Sequence, residues 1–162
     1  MADHPLGRFW LLSPWIIIII GVPLVAWWLL EPVPVTVNYV APTFLSRPAM
    51  DRREAESVAV TSARGGSVVY RYVEYCVTRA FEATSHRAWV GEALVWPAPN
   101  VPTTLSRTPG CFAANLAIEV PTSSPTRTFK FVQTMSIPMS PIRTEVIEYA
   151  PIPLTILDSK DK

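Results

Sequence analysis

The sequence predicts an all-β fold, a small antiparallel immunoglobulin-like β-sandwich, preceded by one N-terminal transmembrane helix. Three observations carry this. Residues 9–30 form an uncharged apolar run, the 162-residue chain holds 17 prolines against 6 glycines, and short stretches between the prolines alternate apolar and polar residues. Proline donates to neither a helix interior nor a central ladder, so its density argues against a helical bundle. Val, Ile, Thr, Tyr, Phe and Trp fill the intervals, as short strands require. The implied organisation is a cytoplasmic N-terminus over 1–8, the transmembrane helix over 9–30 and a proline-rich spacer over 31–34. The β-sandwich then covers 35–157, and a charged tail 158–162 follows.

Residues 9–30 read FWLLSPWIIIIIGVPLVAWWLL. At the helical rise they reach ~33 Å, the scale of a bilayer's hydrocarbon core. Trp10 and Trp15 stand toward one end and Trp27 and Trp28 at the other, in the positions of membrane-interface tryptophans. Pro14, Gly21 and Pro23 are tolerated inside a span although they would break a helix in water. The apolar run continues past Leu24, Val25 and Ala26 through Leu30, which speaks for a retained anchor over a cleaved signal. Arg8 precedes the run and Glu31 follows it, which orients the N-terminus inside. The expected placement is the inner (cytoplasmic) membrane with the β domain periplasmic or extracellular. The lipid bilayer is the partner of residues 9–30.

Beyond the spacer, Val33, Val35, Val37 and Tyr39 alternate as a first strand. Residues 47–64 suit either a one- to two-turn helix or a charged loop. Residues 67–79, SVVYRYVEYCVTR, carry the densest strand signal and follow the Gly65-Gly66 pair. Trp89, Leu94 and Trp96 mark 86–96 as core or interface. Four prolines make 97–110 a loop, ended by the Pro109-Gly110 turn signal. Residues 111–120 form a strand. In 127–137, Phe129, Phe131, Gln133, Met135 and Ile137 share one face. Pro151 and Pro153 in 142–157 suit an edge strand or a strand that switches sheets at a bulge. Six or seven short strands at this spacing fit a sandwich.

Cys76 and Cys111 are the two cysteines. Each falls in an expected strand on the oxidising side of the membrane, so a bridge between the sheets is expected, with two free thiols as the alternative. No metal site or cofactor is implied, because two cysteines and the outer His86 lack ligand spacing. No Gly-x-Ser-x-Gly elbow is present, and His86 reads as a solvent-facing residue. Glu74 and Glu82 read as surface ion-pair partners of Arg71 and Arg79. The formal charge of +1 offers no field for nucleic acid. The candidate binding residues are Tyr70, Tyr72, Arg71, Trp89 and Trp96, because exposed Tyr/Arg/Trp clusters make binding hot spots. The period of two puts Tyr70 and Tyr72 on one strand face and Arg71 on the other, without saying which face is buried.

The strand YRYVEYCVTR over 70–79, Cys111 in Pro109-Gly110-Cys111, and Ser140-Pro141-Ile142-Arg143-Thr144 form a pattern. It resembles uncharacterised small membrane proteins of tailed phages and prophages, which carry one N-terminal transmembrane helix and a compact β-sandwich. Ser140 stands where those proteins have Asn. The resemblance implies a phage or bacterial-envelope setting and no catalytic residues. The expected function is a single-pass, non-enzymatic envelope protein whose outer domain binds a protein or cell-wall partner or plays a structural role. The alternative is a phage lysis or superinfection-exclusion component.

Overall fold

A computed structural model describes residues 6–92, 95–105, 108–123 and 125–158, with side chains from residue 18 onward except those of 97–107. Helix α1 spans Leu6–Leu30. Then come β1 (Val35–Val40), β2 (Phe44–Leu45), α2 (Arg52–Ser57), β3 (Ala59–Val60) and β4 (Ser62–Arg64). The longer strands follow: β5 (Val68–Val77), β6 (Phe81–Val90), β7 (Val95–Leu105), β8 (Gly110–Glu119), β9 (Arg127–Ser140) and β10 (Arg143–Leu157).

The strands make two five-stranded sheets. In the first, β5 is central. It pairs with β8 along its whole length on one side, and with β1 and then β2 on the other; β3 completes that edge. The second sheet runs β4-β10-β9-β6-β7. All its pairs are antiparallel except β10 with β4, which is parallel over three residues. That pair departs from the all-antiparallel expectation. The chain enters it by a connection long enough to reverse direction, which a hairpin cannot do.

The expected membrane span is corrected. Among the described residues no helix is long and apolar enough to cross a membrane. The inner-membrane localisation, the inside-to-outside orientation and the single-pass anchored function all took the span as their premise, and they fall with it. Trp10 and Trp15 have side chains outside the described set. Trp27 and Trp28 are exposed and lie over Met139, Ser140 and Pro141 of the β9–β10 turn.

The end of α1 is tied to the β domain by polar contacts. Its last carbonyls have no intrahelical donors. Arg143 Nη1 donates to Leu29 O (2.5 Å) and Glu31 O (2.9 Å), and Glu31 pairs with Arg79.

Two apolar clusters fill the space between the sheets. One gathers Phe44, Val69, Trp89, Ile118, Phe129, Phe131, Ile152, Leu154 and Ile156. The other gathers Val35, Val73, Val77, Ala83, Met135, Ile137 and Tyr149. The expected shared face of 127–137 is the inward face of β9. A third cluster lies on the outer face of the first sheet, where Ala41, Leu45, Ala49 and Ala55 cover Tyr72.

Helix α2 is short and depends on its ends. Asp51 caps it by accepting from Glu54 N (2.8 Å), while Glu54 reaches back to Met50 N (2.8 Å) and to Arg47 (2.6 Å). Asp51→Ala is expected to cost about 1 kcal/mol, measured by chemical denaturation. The Met50 N–H and Arg47 hold the Glu54 carboxyl below its ordinary value, and Arg52 with Tyr72 does the same for Glu74. A lowered folded pKa gives stability that is present above the unfolded value near 4.5 and lost as pH falls through the folded one. Acidification below pH 4.5 is therefore expected to shift the NMR amide signals of Glu54 and Ala55 before the core unfolds.

Two expectations for the prolines meet different outcomes. The loop expected over 97–110 is instead mostly β7, because β7 is an edge strand, and an edge tolerates residues that cannot donate to a ladder. Pro151 and Pro153 sit as expected in an edge stretch of β10 with a bulge between Tyr149 and Ile152. The strand stays in one sheet.

Candidate functional site

Strand β5 has no solvent-facing side over its central residues. By the period of two, Val69, Arg71, Val73, Tyr75 and Val77 point between the sheets, while Tyr70, Tyr72, Glu74 and Cys76 point outward. Tyr72 on the outer face is 2% exposed and Arg71 on the inner face is 0% exposed, so both faces are covered. The segment 41–58 covers the outer one.

Arg71 stands where the two inter-sheet clusters would otherwise meet. Its Nη1 donates to Gln133 Oε1 (3.1 Å) and its Nη2 to Ala150 O (3.0 Å). Ala150 belongs to the bulge of β10, whose extra residue leaves that carbonyl out of the ladder. The guanidinium also lies 5.0 Å from the centre of the Tyr149 ring. Its Nε is buried without a partner. The polar string continues from Gln133 Nε2 to Ser85 Oγ (3.1 Å), which also accepts from Arg87 Nε (3.2 Å). Burial lowers Arg71 to about 10; Tyr149 opposes the shift and the Arg87 charge adds to it. Burial lowers Arg87 as well. Both remain cations at neutral pH.

Beside this string the sheets part into a pocket lined by Val73, Tyr75, Ala114, Leu116, Met135 and Tyr149, with Ser85, Arg87 and Gln133 as its polar members. Its enclosed space is about 40 Å³, widening to about 440 Å³ when counted out to solvent. Val73, Ser85, Gln133, Met135 and Tyr149 are buried and form the floor. Tyr75, Arg87, Ala114 and Leu116 are half-buried and form the mouth, beneath edge strand β8.

The sequence-derived binding residues do not share one exposed patch. Tyr70 and Tyr72 lie under the 41–58 segment, while Arg71 and Trp89 are inside the sandwich. Trp96 packs half-buried on Phe129, ring centres 5.8 Å apart. Leu94 lies outside the described residues. Glu74 pairs with Arg52 (2.5 Å) instead of Arg71 or Arg79, and Arg79 takes Glu31. His86 is exposed on β6, as expected.

Cys76 and Cys111 are bridged. The bridge lies within one sheet and not between two, because outward-facing Cys76 is the register partner of Cys111 on β8, with Cα atoms 4.0 Å apart. Among the described residues no cluster of His, Cys, Asp and Glu could hold a metal ion. Sequence reasoning missed Ser85, Arg87, Gln133 and Tyr149 as a group. The available signal was Gln133, a polar residue inside an otherwise apolar strand face.

No family model matches the sequence, and no curated protein sequence matches it. Among solved structures, the chain is similar to a Niemann-Pick type C2 protein from the Japanese carpenter ant, at 11% identity and a TM-score of 0.46. The match covers 78% of this chain and 96% of that one. A likeness of that extent carries no argument about ligand or activity.

Proposed function

We propose that the chain is a binding domain, not an enzyme, and that it takes a small apolar molecule into the pocket between its sheets. The observation that carries this is the break in the inter-sheet core beneath β8. A largely apolar concavity with a few convergent polar groups is the usual form of a small-molecule site. Its enclosed space of about 40 Å³ holds little more than water and lies well below the ~300–1,000 Å³ of filled sites of this kind. A ligand therefore enters by side-chain repacking, for which unbranched Met135 on the floor is suited. Binding without catalysis is supported by the lining, which contains no histidine or carboxylate to activate Ser85. The immunoglobulin-like type belongs to the same proposal. Its support is two facing sheets with Trp89 buried between them, and its departures are the in-sheet disulfide and the parallel β4–β10 pair.

The test is displacement of a fluorescent naphthylamine probe by octanol, followed with the full chain. Saturable displacement is expected, with loss of probe binding in Ala114→Phe, which fills the mouth and leaves the floor intact. Unchanged probe binding in a folded Ala114→Phe protein would remove the pocket from consideration.

A further inference from the structure

Among the described residues, exposed arginines either meet carboxylates or lie in water. Arg47, Arg52 and Arg79 pair with Glu54, Glu74 and Glu31, and Arg53, Arg64 and Arg127 are solvent-exposed. The two arginines between the sheets differ: Arg71 is fully buried and Arg87 half-buried. Among the described residues, neither Arg71 nor Arg87 forms an ion pair. A cation taken out of water costs several kcal/mol unless an anion or a full set of acceptors replaces the water. Arg71 has two neutral acceptors and a tyrosine face, with its Nε left over. Arg87 spends its Nε on Ser85 and lines the mouth of the pocket, and its two terminal nitrogens have no partner among the described residues. Two like charges, one buried and one at the pocket mouth, are thus joined by a neutral relay of Ser85 and Gln133, and among the described residues no carboxylate pairs with either.

We propose that the ligand of this pocket carries a carboxylate head on an apolar body, with the head on the Arg87 guanidinium and the body against Val73, Leu116 and Met135. This rests on the pocket being the binding site. A planar guanidinium with two free terminal nitrogens matches a carboxylate's two oxygens in parallel hydrogen bonds. Arg71 contributes from behind the floor. Its charge raises the local potential, and through Gln133 and Ser85 it fixes the direction in which Arg87 points. Arg87 is the contact residue and Arg71 a positioning residue.

The experiment compares octanoate, octanol and octylamine by isothermal titration on the full chain at pH 7. Octanoate is expected to bind at least tenfold more tightly than octanol, and octylamine at least tenfold more weakly. Arg87→Gln should remove octanoate's advantage and leave octanol unchanged, while Arg87→Lys should restore part of it. Lowering the pH far enough to protonate octanoate should bring its affinity down to that of octanol. Equal binding of octanoate and octanol at pH 7 would overturn the carboxylate head and leave the pocket standing. Binding of none of the three would remove the pocket reading itself. If Arg87→Gln does not fold, the comparison of the three ligands and the pH series decide the matter on the unaltered protein.

Discussion

Trp89→Ala is expected to lower the unfolding free energy by about 3–5 kcal/mol, the largest loss from any single side chain of the sandwich. Trp89 is 2% exposed, and its ring centre lies 4.9 Å from that of Phe131 and 5.5 Å from that of Phe44. It thereby joins β6 and β9 of one sheet to β2 of the other. Its Nε1 donates to Glu119 O at 3.2 Å, fastening the end of edge strand β8. Truncation would remove apolar contact, leave a cavity and strand that carbonyl. Trp89→Phe separates these effects: it keeps most of the ring and loses the hydrogen bond, at an expected cost of about 1–2 kcal/mol. Urea unfolding of the three proteins checks both values. If alanine and phenylalanine cost the same, the ring packing is not what holds the sheets together.

Removing the disulfide with Cys76→Ser and Cys111→Ser together is expected to cost about 4 kcal/mol, the chain-entropy value for a loop of this size. The closed loop spans a sequence separation of 35 and contains β6 and β7 of the opposite sheet. The bridge therefore limits how far the two sheets can separate in the unfolded chain, although it joins strands of only one. A fall in melting temperature of roughly 10–15 °C should follow, read by calorimetry with and without reductant. The ladder from Val68↔Glu119 to Val77↔Gly110 should survive in the reduced native state, since it owes nothing to the sulfur atoms. A reduced protein as stable as the oxidised one would show that residual structure already limits the unfolded loop.

The period-two pattern made most of the strands legible. The alternation over 127–137 placed Phe129, Phe131, Gln133, Met135 and Ile137 on one face, and all five are buried. The run over 67–79 gave β5, but alternation cannot choose a core face when both faces are covered, and the cover comes from 41–58, a distant segment. The proline-rich run over 97–110 was misread as a loop because propensity does not report whether a strand is central or at an edge. The bridge between Cys76 and Cys111 is present although the membrane setting from which it was expected fell with the span, and its in-sheet position depended on register, which a sequence does not display. The site was the least legible part. Arg71, Ser85, Arg87, Gln133 and Tyr149 come from four strands, and only pairing in three dimensions brings them together. The apolar run over 9–30 was read as a span from composition alone, and among the described residues no helix is long and apolar enough to cross a membrane.

The prolines on the outer strands have a consequence for behaviour in concentrated solution. A free strand edge is a template on which a second molecule can add its own strand, and repeated addition leads to fibres. β7 closes one edge of its sheet with Pro97, Pro99 and Pro102, none of which can offer an N–H to an incoming chain. Toward the other edge β10 carries Pro151 and Pro153, and β4 covers it only over Thr155–Leu157. The residues that made this stretch look unlike a strand are those that keep the sheet from growing by polymerisation.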